Sequence, residues 1–535
     1  MAAARIGSRP FSANRAVAWL AILAFGLGLR LWGLDGHTLT HAEVYVPRLE
    51  MPEYVSAPPP RPTLAATTLG TLHHDNHPPG YYAFMWAWTG AFGTGLSELR
   101  LPSALAGAAT IALLFFMLRR RDGDGVALFA SALLALHGHH LFWSQQARMW
   151  VFLGAFAVLS VLLLDSLHRR FRATSAVAYV AVVAAGLWFE YSFWPFFAAQ
   201  IFWELCRSCE APRAPATLDL QLVALVSSLP VLWFLKVHLA LARTEYLART
   251  ELVDHLAGFL LLQWWLRGPA PPERLGSLAS LGVLVLLVVC AALLVAGVAH
   301  ARLAAGDRDV PEARTPGLAL VWRFVSRPLR ALRNRGWARR LTDDPAGVHT
   351  LLPVAILLAG SLFVPSVAAR SLLFITPFAL WLVARGLFAW LRRPALRIGA
   401  IAVLLAIGVV SVRQYTTPWG GDHDYQGLAA AMQPDWSRDD LILIHDAWWS
   451  QPMHYYLPPS RYRTGDFGEH SGGLAQTGGE RPERLWVVIF DDRDVAAFET
   501  LQPKLGDYRM RKRVDASAGY AVLLQRRNGK PPVGD

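Results

Sequence analysis

Cysteine is almost missing from this chain: Cys206, Cys209 and Cys290 are the only three in 535 residues, too few for a disulfide framework. The Cys206-Arg207-Ser208-Cys209 pair has no second pair and no spaced histidines, so it reads as neither a zinc site nor a redox motif. Charge is scarce too. Asp, Glu, Lys and Arg make up 17% of the residues, against roughly 25% in an ordinary globular chain, while 54% are hydrophobic and the mean hydropathy is +0.31. A single water-soluble domain is excluded. Lysine is confined to Lys236, Lys504, Lys512 and Lys530, so arginine carries almost all of the net charge of +12. The arginines punctuate apolar stretches instead of lining one basic face. That excludes nucleic acid as a partner and makes the charge a record of membrane orientation.

What the chain has in quantity is long apolar runs. A bilayer core roughly 30 Å thick takes about 20 apolar helical residues. Eleven segments are predicted to span: near 15 to 34, 99 to 118, 124 to 143, 150 to 167, 173 to 189, 191 to 206, 217 to 238, 277 to 299, 349 to 364, 371 to 390 and 396 to 413. The fold class expected is an α-helical multi-pass membrane protein. Residues 1 to 14 are polar and basic, and the run behind them is too long for a signal peptide, so it reads as an uncleaved first span. With that terminus cytoplasmic, Arg119-Arg120-Arg121, His168-Arg169-Arg170, Arg207 to Arg213, the loop 300 to 347 and Arg392-Arg393 all fall inside, as the positive-inside rule asks. A twelfth apolar stretch, 79 to 95, would break that pattern if it spanned, so it is expected to lie along the outer surface or re-enter.

Two further regions stand out. The loop 300 to 347 mixes ten arginines with Trp322, Phe324 and Trp337 and reads as a basic helix on the anionic inner leaflet. From 414 to 535 the composition turns soluble, and the apolar runs at Leu441 to Ile444, Leu485 to Phe490 and Gly519 to Gln525 predict strands, with helices at Pro452 to Leu457 and Val495 to Leu505 and a Gly-rich loop from Gly465 to Gly479. This is a small α/β domain, expected on the extracytoplasmic side of a bacterial cytoplasmic membrane. His445-Asp446 and Asp491-Asp492 end its strands, where open sheets bind ligands; they read first as caps, with acceptor selection as the alternative.

Polar residues able to do chemistry gather opposite the arginine-rich loops. The loop 35 to 78 carries Glu43, Glu50, Glu53 and Asp75 with His41, His73, His74 and His77, and a loop of that length is usually functional or disordered. A second group is Ser144-Gln145-Gln146-Ala147-Arg148-Met149-Trp150. Arg148 and Arg370 each begin a span on the side where the positive-inside rule disfavours them, and phosphate suits the forked guanidinium donors. Snorkelling interfacial arginines are the plainer explanation. Glu190-Tyr191 sits where two spans meet on that face, placed to pair with such an arginine or to meet sugar hydroxyls. The cluster His73-His74-Asp75-Asn76-His77 can hold a divalent metal with Glu43, although its spacing matches no specific metal site; no other cofactor is expected. Trp86, Trp88, Trp143, Trp150, Trp188 and Trp194 read mainly as interfacial belt residues.

The motifs Arg100-Leu101-Pro102-Ser103-Ala104-Leu105-Ala106-Gly107, His77-Pro78-Pro79-Gly80-Tyr81-Tyr82, Ser144 to Trp150 and Ala369-Arg370-Ser371-Leu372-Leu373 together resemble the bacterial relatives of protein O-mannosyltransferases and of the aminoarabinose transferase of lipid A. That family belongs to the C-type superfamily of membrane glycosyltransferases, and the resemblance covers residues 15 to 415. It implies an enzyme that takes a sugar from a polyprenyl-phosphate carrier and passes it, with inversion, to a protein, lipid or glycan hydroxyl. The relatives carry an Asp-Glu pair in the first outer loop; here Ala42 stands at the Asp position and Glu43 remains. Either Glu43 takes over as the catalytic carboxylate, Asp75 reaches in, or the usual chemistry is lost. Transfer needs a base for the hydroxyl proton and positive charge on the leaving phosphate. The expected assignment is Glu43 as base, Arg148 and Arg370 on the phosphate, and Asp75, His77, Gln145, Gln146 and Tyr191 around the sugar. The rivals are a lipid-linked sugar flippase, disfavoured because the spans are largely free of charge near their centres, and a degenerate scaffold, which Ala42 favours.

Overall fold

The computed structural model describes residues 12–40, 43, 46, 62–74, 76–207, 214–241, 344–361, 369–416, 424–437, 439–445, 453, 455–457, 461–465, 482–490, 505, 507–516 and 519–527. The predicted span at 277 to 299, the basic loop 300 to 347 up to residue 343, the Gly-rich loop beyond 465 and the predicted helix 495 to 505 up to residue 504 lie outside the described residues. The described chain forms two compact units. One comprises residues 1–32, 71–81 and 100–417; the other comprises 33–70, 82–99 and 418–535.

The first unit is helical. Its elements are α1 (Ala13–Leu31), the end of α2 (Leu64–His74), the start of α3 (Gly80–Phe92), most of α4 (Leu96–Arg121), α5 (Asp124–Ala135), α6 (Gly138–Ser144), α7 (Trp150–Arg169), α8 (Ala173–Phe189), α9 (Phe193–Arg207), α10 (Ala214–Leu241), α11 (Pro345–Ser361), α12 (Thr376–Trp390) and α13 (Pro394–Thr416). Among the described residues six helices are long and apolar enough to cross a membrane, or seven if α5 and α6, bent by 62° at their junction, count as one span. The chain is a multi-pass membrane protein. α8, α9 and α11 coincide with predicted spans but have 17, 15 and 17 residues, short of the roughly 20 a bilayer asks for. α3 has 13 residues, also short. α12 is buried from Thr376 to Leu387, as a helix apolar on every side must be.

The break between α5 and α6 leaves buried backbone polar groups outside the helical ladder, where each needs a partner. Arg30 supplies the donors: its guanidinium, fully buried, donates to Leu134 O at 3.2 Å, Ala135 O at 3.5 Å and Gly26 O at 2.9 Å, and lies 3.0 Å from His140 Nδ1. On the other side of the break the His137 ring accepts from His140 N at 3.2 Å, and Ser411 Oγ accepts from Gly138 N at 3.0 Å. A Cβ on Gly107 would come within 2.8 Å of Arg30 Nε and 2.2 Å of Ser144 Oγ, so only glycine lets α4 approach this cluster.

The spans are less free of charge than the sequence suggested. Arg30, Glu204 and Arg385 are buried, but each falls near the C-terminal end of its helix. Glu204 faces His168 at 2.9 Å and accepts from Thr217 Oγ1 at 2.5 Å. Arg385 joins Asp344 at 2.8 Å and Asp122 at 3.1 Å, lies 4.4 Å from the Trp381 ring, and Trp381 Nε1 donates to the same Asp122. The Arg119 to Arg121 run takes part in this packing, through Arg119 with Asp124 at 3.0 Å and Arg121 with Asp165 at 2.5 Å.

The second unit contains a five-stranded sheet built from β1 (Leu441–His445), β2 (Arg461–Gly465), β3 (Arg484–Phe490), β4 (Tyr508–Ala516) and β5 (Gly519–Arg526), in the order β2-β1-β3-β5-β4. β1 runs parallel to β2 and β3; β5 runs antiparallel to β3 and β4. Strand residues alternate between two faces. Ile442, Ile444, Trp486, Val488 and Leu523 pack with Leu428 and Met432 of helix α14 (Tyr425–Met432), while Leu441, Leu443, Leu485, Val487, Val522 and Leu524 form the core on the other face. Both faces are covered, which is why the central strands read as unbroken apolar runs. β2 and β4 were not foreseen. They are the edges, and β4 exposes Arg509, Arg511, Lys512 and Arg513, the charged pattern that keeps an edge from pairing with another chain. The segments after α1 and after α3 join this unit: Leu39 N and Thr38 Oγ1 donate to Tyr456 Oη at 2.5 and 3.3 Å, and Tyr455 Oη donates to Thr94 O at 3.0 Å.

Asp440 is 1% exposed and accepts from Arg484 Nε at 2.8 Å, Trp486 Nε1 at 3.0 Å and Ser437 N at 3.0 Å. Asp440→Ala leaves the Trp486 indole N–H without an acceptor inside the core, so a loss of about 2–3 kcal/mol is expected. Urea-dependent proteolysis of the purified full-length chain reads it, and the sheet unit should become cleavable at lower urea than in wild type.

Candidate active site

The four helices and turns that meet around Trp150 carry most of the residues singled out in the sequence. α6 ends at Ser144, whose Oγ donates to His140 O at 2.6 Å, and the chain then turns through residues 145–149 into α7. Gln145 fastens this turn to the end of α1: its Nε2 donates to Leu29 O at 3.1 Å and to Trp32 O at 2.8 Å. Ser103 Oγ donates to Arg148 O at 3.4 Å, and Arg148 N donates to Gln146 O at 2.8 Å. With its backbone fixed at both ends, Arg148, itself buried, lays its guanidinium carbon 4.8 Å from the Trp150 ring.

A second guanidinium reaches the same ring. Arg370 is exposed and belongs to the 3-10 turn Ala369–Ile375 that leads into α12, and its guanidinium carbon lies 5.1 Å from the Trp150 ring centre. At most about 10 Å therefore separates the two cationic carbons. An indole face attracts a cation by about 0.5–2 kcal/mol, so Trp150 holds two positive charges near one another that would otherwise repel. Trp150 is buried, 2% exposed, and Trp143 packs edge-on against it at 4.4 Å. It is therefore not an interfacial belt residue, as its sequence position between polar loop and span suggested.

On the third side of Trp150 is His77, edge-on at 5.7 Å. Its Nδ1 lies 2.6 Å from Glu190 Oε2, with the carboxylate oxygen off the axis of an ideal hydrogen bond. Glu190 closes α8 and is itself buried; its other oxygen accepts from Ser192 N at 3.4 Å. Gly80 is what lets the His77 segment come so near: a Cβ there would stand 2.6 Å from Trp188 O and 2.8 Å from Trp188 Cβ. Tyr191, next to Glu190, has its Oη 2.9 Å from His238 Nδ1, and His238 Nε2 lies 2.9 Å from Thr71 O. A carbonyl only accepts, so Nε2 carries the proton, Nδ1 accepts, and the Tyr191 hydroxyl donates.

The structure thus brings His77, Arg148 and Arg370 to one indole, with Glu190 on His77 and Tyr191 beside it. Gln145 spends both amide hydrogens on the end of α1. Gln146 is buried in the same turn. Glu43 belongs to the other compact unit; it is buried, and its Oε2 accepts from Thr40 N at 2.9 Å and Thr40 Oγ1 at 3.2 Å. Asp75 lies outside the described residues, as do the side chains of His73 and His74. Among the described residues no group of three or more His, Cys, Asp or Glu is placed to hold a metal ion. Sequence reasoning missed the hub role of Trp150 and the partner His238, whose one signal was a histidine near the end of a long, mostly apolar helix.

Residues 76–234 match the family described as dolichyl-phosphate-mannose-protein mannosyltransferase. This stretch holds the HPPGYY, RLPSALAG and SQQARMW motifs, and it bears out the resemblance read from them. No curated protein sequence matches the chain. Among solved structures the chain is similar to ArnT from Cupriavidus metallidurans bound to undecaprenyl phosphate, at 13% identity over 96% of this chain and 98% of that one, with a TM-score of 0.43. It is also similar to the Archaeoglobus fulgidus oligosaccharyltransferase tethered to an acceptor peptide containing the NVT sequon, at 11% identity over 96% of this chain and 74% of that one, with a TM-score of 0.47.

Proposed function

We propose that the chain is a membrane glycosyltransferase that moves a sugar from a polyprenyl-phosphate carrier to an acceptor hydroxyl, with inversion, on the extracytoplasmic face. The observation that carries this reading is the pair Arg148 and Arg370 on Trp150, Arg148 and Trp150 lying inside a stretch whose family is named for a dolichyl-phosphate sugar donor. Breaking the anomeric C–O bond leaves charge on the carrier phosphate, and preorganised guanidinium groups, Arg148 buried and Arg370 exposed, stabilise that charge where it develops. A polyprenyl tail lies between helices in the lipid while the head group meets the cations. His77 and Tyr191, at the junctions α2–α3 and α8–α9, then line the sugar pocket. The acceptor, whether protein, lipid or glycan, enters as a hydroxyl.

The proton of that hydroxyl needs a base. Two groups are available: Glu43, which the sequence puts forward, and the His77–Glu190 pair. Glu43 also fixes its own turn through Thr40, so Glu43→Gln keeps one acceptor oxygen for those bonds and removes only the charge. The test is transfer of label from a polyprenyl-phosphate sugar by washed membranes containing the chain, with membranes lacking it as the control. If Glu43 is the base, Glu43→Gln lowers transfer about 10²- to 10⁴-fold; if it serves the turn, transfer stays within a factor of a few of wild type. Absence of any chain-dependent transfer would remove the glycosyltransferase reading.

A further inference from the structure

A neutral imidazole has one N–H donor and one lone-pair acceptor, on different edges of the ring. His238, buried in the last turn of α10, uses both. Its Nε2 donates to Thr71 O of α2 at 2.9 Å, and its Nδ1 accepts from the Tyr191 hydroxyl at 2.9 Å. We propose that His238 is a positioning residue for sugar binding: it takes the Tyr191 hydrogen, so that Tyr191 meets the sugar as a hydrogen-bond acceptor. The proposal rests on the glycosyltransferase reading and adds to it the polarity of one wall of the sugar pocket.

The polarity follows from the carbonyl at the far end. Thr71 O holds the ring proton on Nε2, and the Nδ1 lone pair then holds the phenol hydrogen. A tyrosine hydroxyl has one hydrogen and two lone pairs. With the hydrogen committed to His238, a sugar group that pairs with this oxygen has to bring its own, as a hydroxyl or an ammonium does. A deoxy position or an ether oxygen brings none and leaves the contact unmade.

Burial separates the two roles. His238 and Thr71 are each 4% exposed, whereas Tyr191 is half-buried, so the phenol is the member a sugar can reach and the imidazole stands behind it. The Tyr191 backbone is fixed as well: its carbonyl accepts from Trp194 N at 3.1 Å, and its ring meets the imidazole edge-on at 5.9 Å. One residue earlier, Glu190 lies against His77. The α8–α9 junction is therefore held at two points along one stretch of chain, at His77 through Glu190 and at Thr71 through Tyr191 and His238. Because α10 supplies the link to Thr71, a residue remote from Trp150 in the sequence sets which way a pocket hydroxyl points.

Two measurements test this. Solid-state nitrogen-15 NMR of the full-length chain in lipid, labelled at histidine, reads the bond itself and needs no substrate. The signals that His238→Asn removes belong to His238. They should be those of a ring protonated at Nε2, and Tyr191→Phe should move the unprotonated Nδ1 signal downfield as its donor is lost. A ring protonated at Nδ1, or an Nδ1 signal that Tyr191→Phe leaves in place, overturns the proposal whatever the chain transfers.

Transfer from radiolabelled polyprenyl-phosphate mannose and polyprenyl-phosphate aminoarabinose, with washed membranes as acceptor, reads the consequence. Tyr191→Phe and His238→Ala should each raise KM for the donor about 2- to 12-fold, the worth of one hydrogen bond, while kcat moves less. The double variant should match His238→Ala, since both changes remove one contact. His238→Asn, whose amide oxygen stands where Nδ1 accepts, should recover KM. His238→Gln, whose amide nitrogen reaches where Nε2 donates, should recover the melting temperature and not KM. Losses that multiply in the double variant, or KM restored by Gln and not by Asn, overturn the proposal, because a merely structural histidine gives that pattern. Should His238→Ala fail to fold, Tyr191→Phe and His238→Asn carry the test. Wild-type chain that transfers neither sugar removes the glycosyltransferase reading, and with it the sugar as the group Tyr191 meets, while the NMR result still decides the bond.

Discussion

Arg148→Ala is expected to lower sugar transfer about 10²- to 10³-fold, or roughly 3–4 kcal/mol of transition-state stabilisation. The figure follows from where the charge sits. Arg148 is buried, its carbonyl and amide are held by Ser103 and Gln146, and its guanidinium rests on Trp150. A cation prepositioned in such a site needs no reorganisation as the phosphate departs, whereas water entering an alanine cavity would have to orient itself. Arg148→Lys should recover little, because an ammonium is a point charge without the planar fork that pairs two phosphate oxygens and lies flat on an indole. Arg370 is exposed, so Arg370→Ala should cost less, and the double variant should fall short of the product of the two single losses because both charges act on one group. Steady-state kinetics with a labelled polyprenyl-phosphate sugar check the order.

The largest effect on stability is expected from Arg30→Leu. Leucine fits an apolar surrounding, yet it strands Leu134 O and Ala135 O at the α5–α6 break, with His140 Nδ1 beside them. Removing one partner of a buried charged network costs about 3–5 kcal/mol, and at membrane depth water does not readily replace it. Arg30→Lys should fail nearly as badly, since one ammonium cannot serve acceptors spread over two helices. Thermal melting of the purified chain reads the loss. Transfer should fall as well, because Gln145 anchors the Arg148 turn to Leu29 and Trp32 on either side of Arg30. Melting of Arg30→Leu at the wild-type temperature would show the guanidinium to be dispensable.

Much of this architecture was legible in the sequence, and the gaps have physical reasons. Long apolar runs marked α1, α4, α7, α10, α12 and α13, because a bilayer imposes a length that hydropathy records directly. β1, β3 and β5 were legible for a related reason: covered on both faces, they have no polar positions to blur them. β2 and β4 escaped because edge strands are polar by necessity, and Arg509, Arg511, Lys512 and Arg513 look like loop. The break at Leu136-His137 was missed although His137-Gly138-His139-His140 interrupts the apolar run there, because the partners that make a break tolerable, Arg30 and Ser411, are remote in sequence. At the site, Arg148 and Arg370 were found from topology, since arginine on the face that disfavours it calls for a reason. Trp150 could not be distinguished from a belt tryptophan by sequence; its role depends on two arginines more than 200 residues apart in the chain. Glu190 was visible as a carboxylate at a helix junction, but only folding shows that it faces His77.

The account depends above all on Arg148 and Arg370 holding one phosphate between them. The direct measurement is equilibrium binding of undecaprenyl phosphate and of uncharged undecaprenol to the purified chain, wild type and Arg148→Ala/Arg370→Ala, followed by tryptophan fluorescence. Wild type should bind the phosphate more tightly than the alcohol by about 2–5 kcal/mol, the usual cost of removing one partner of a buried, hydrogen-bonded charge pair, and the double variant should bind the two alike. Equal affinities in wild type, or a preference for phosphate that survives the double substitution, would contradict it.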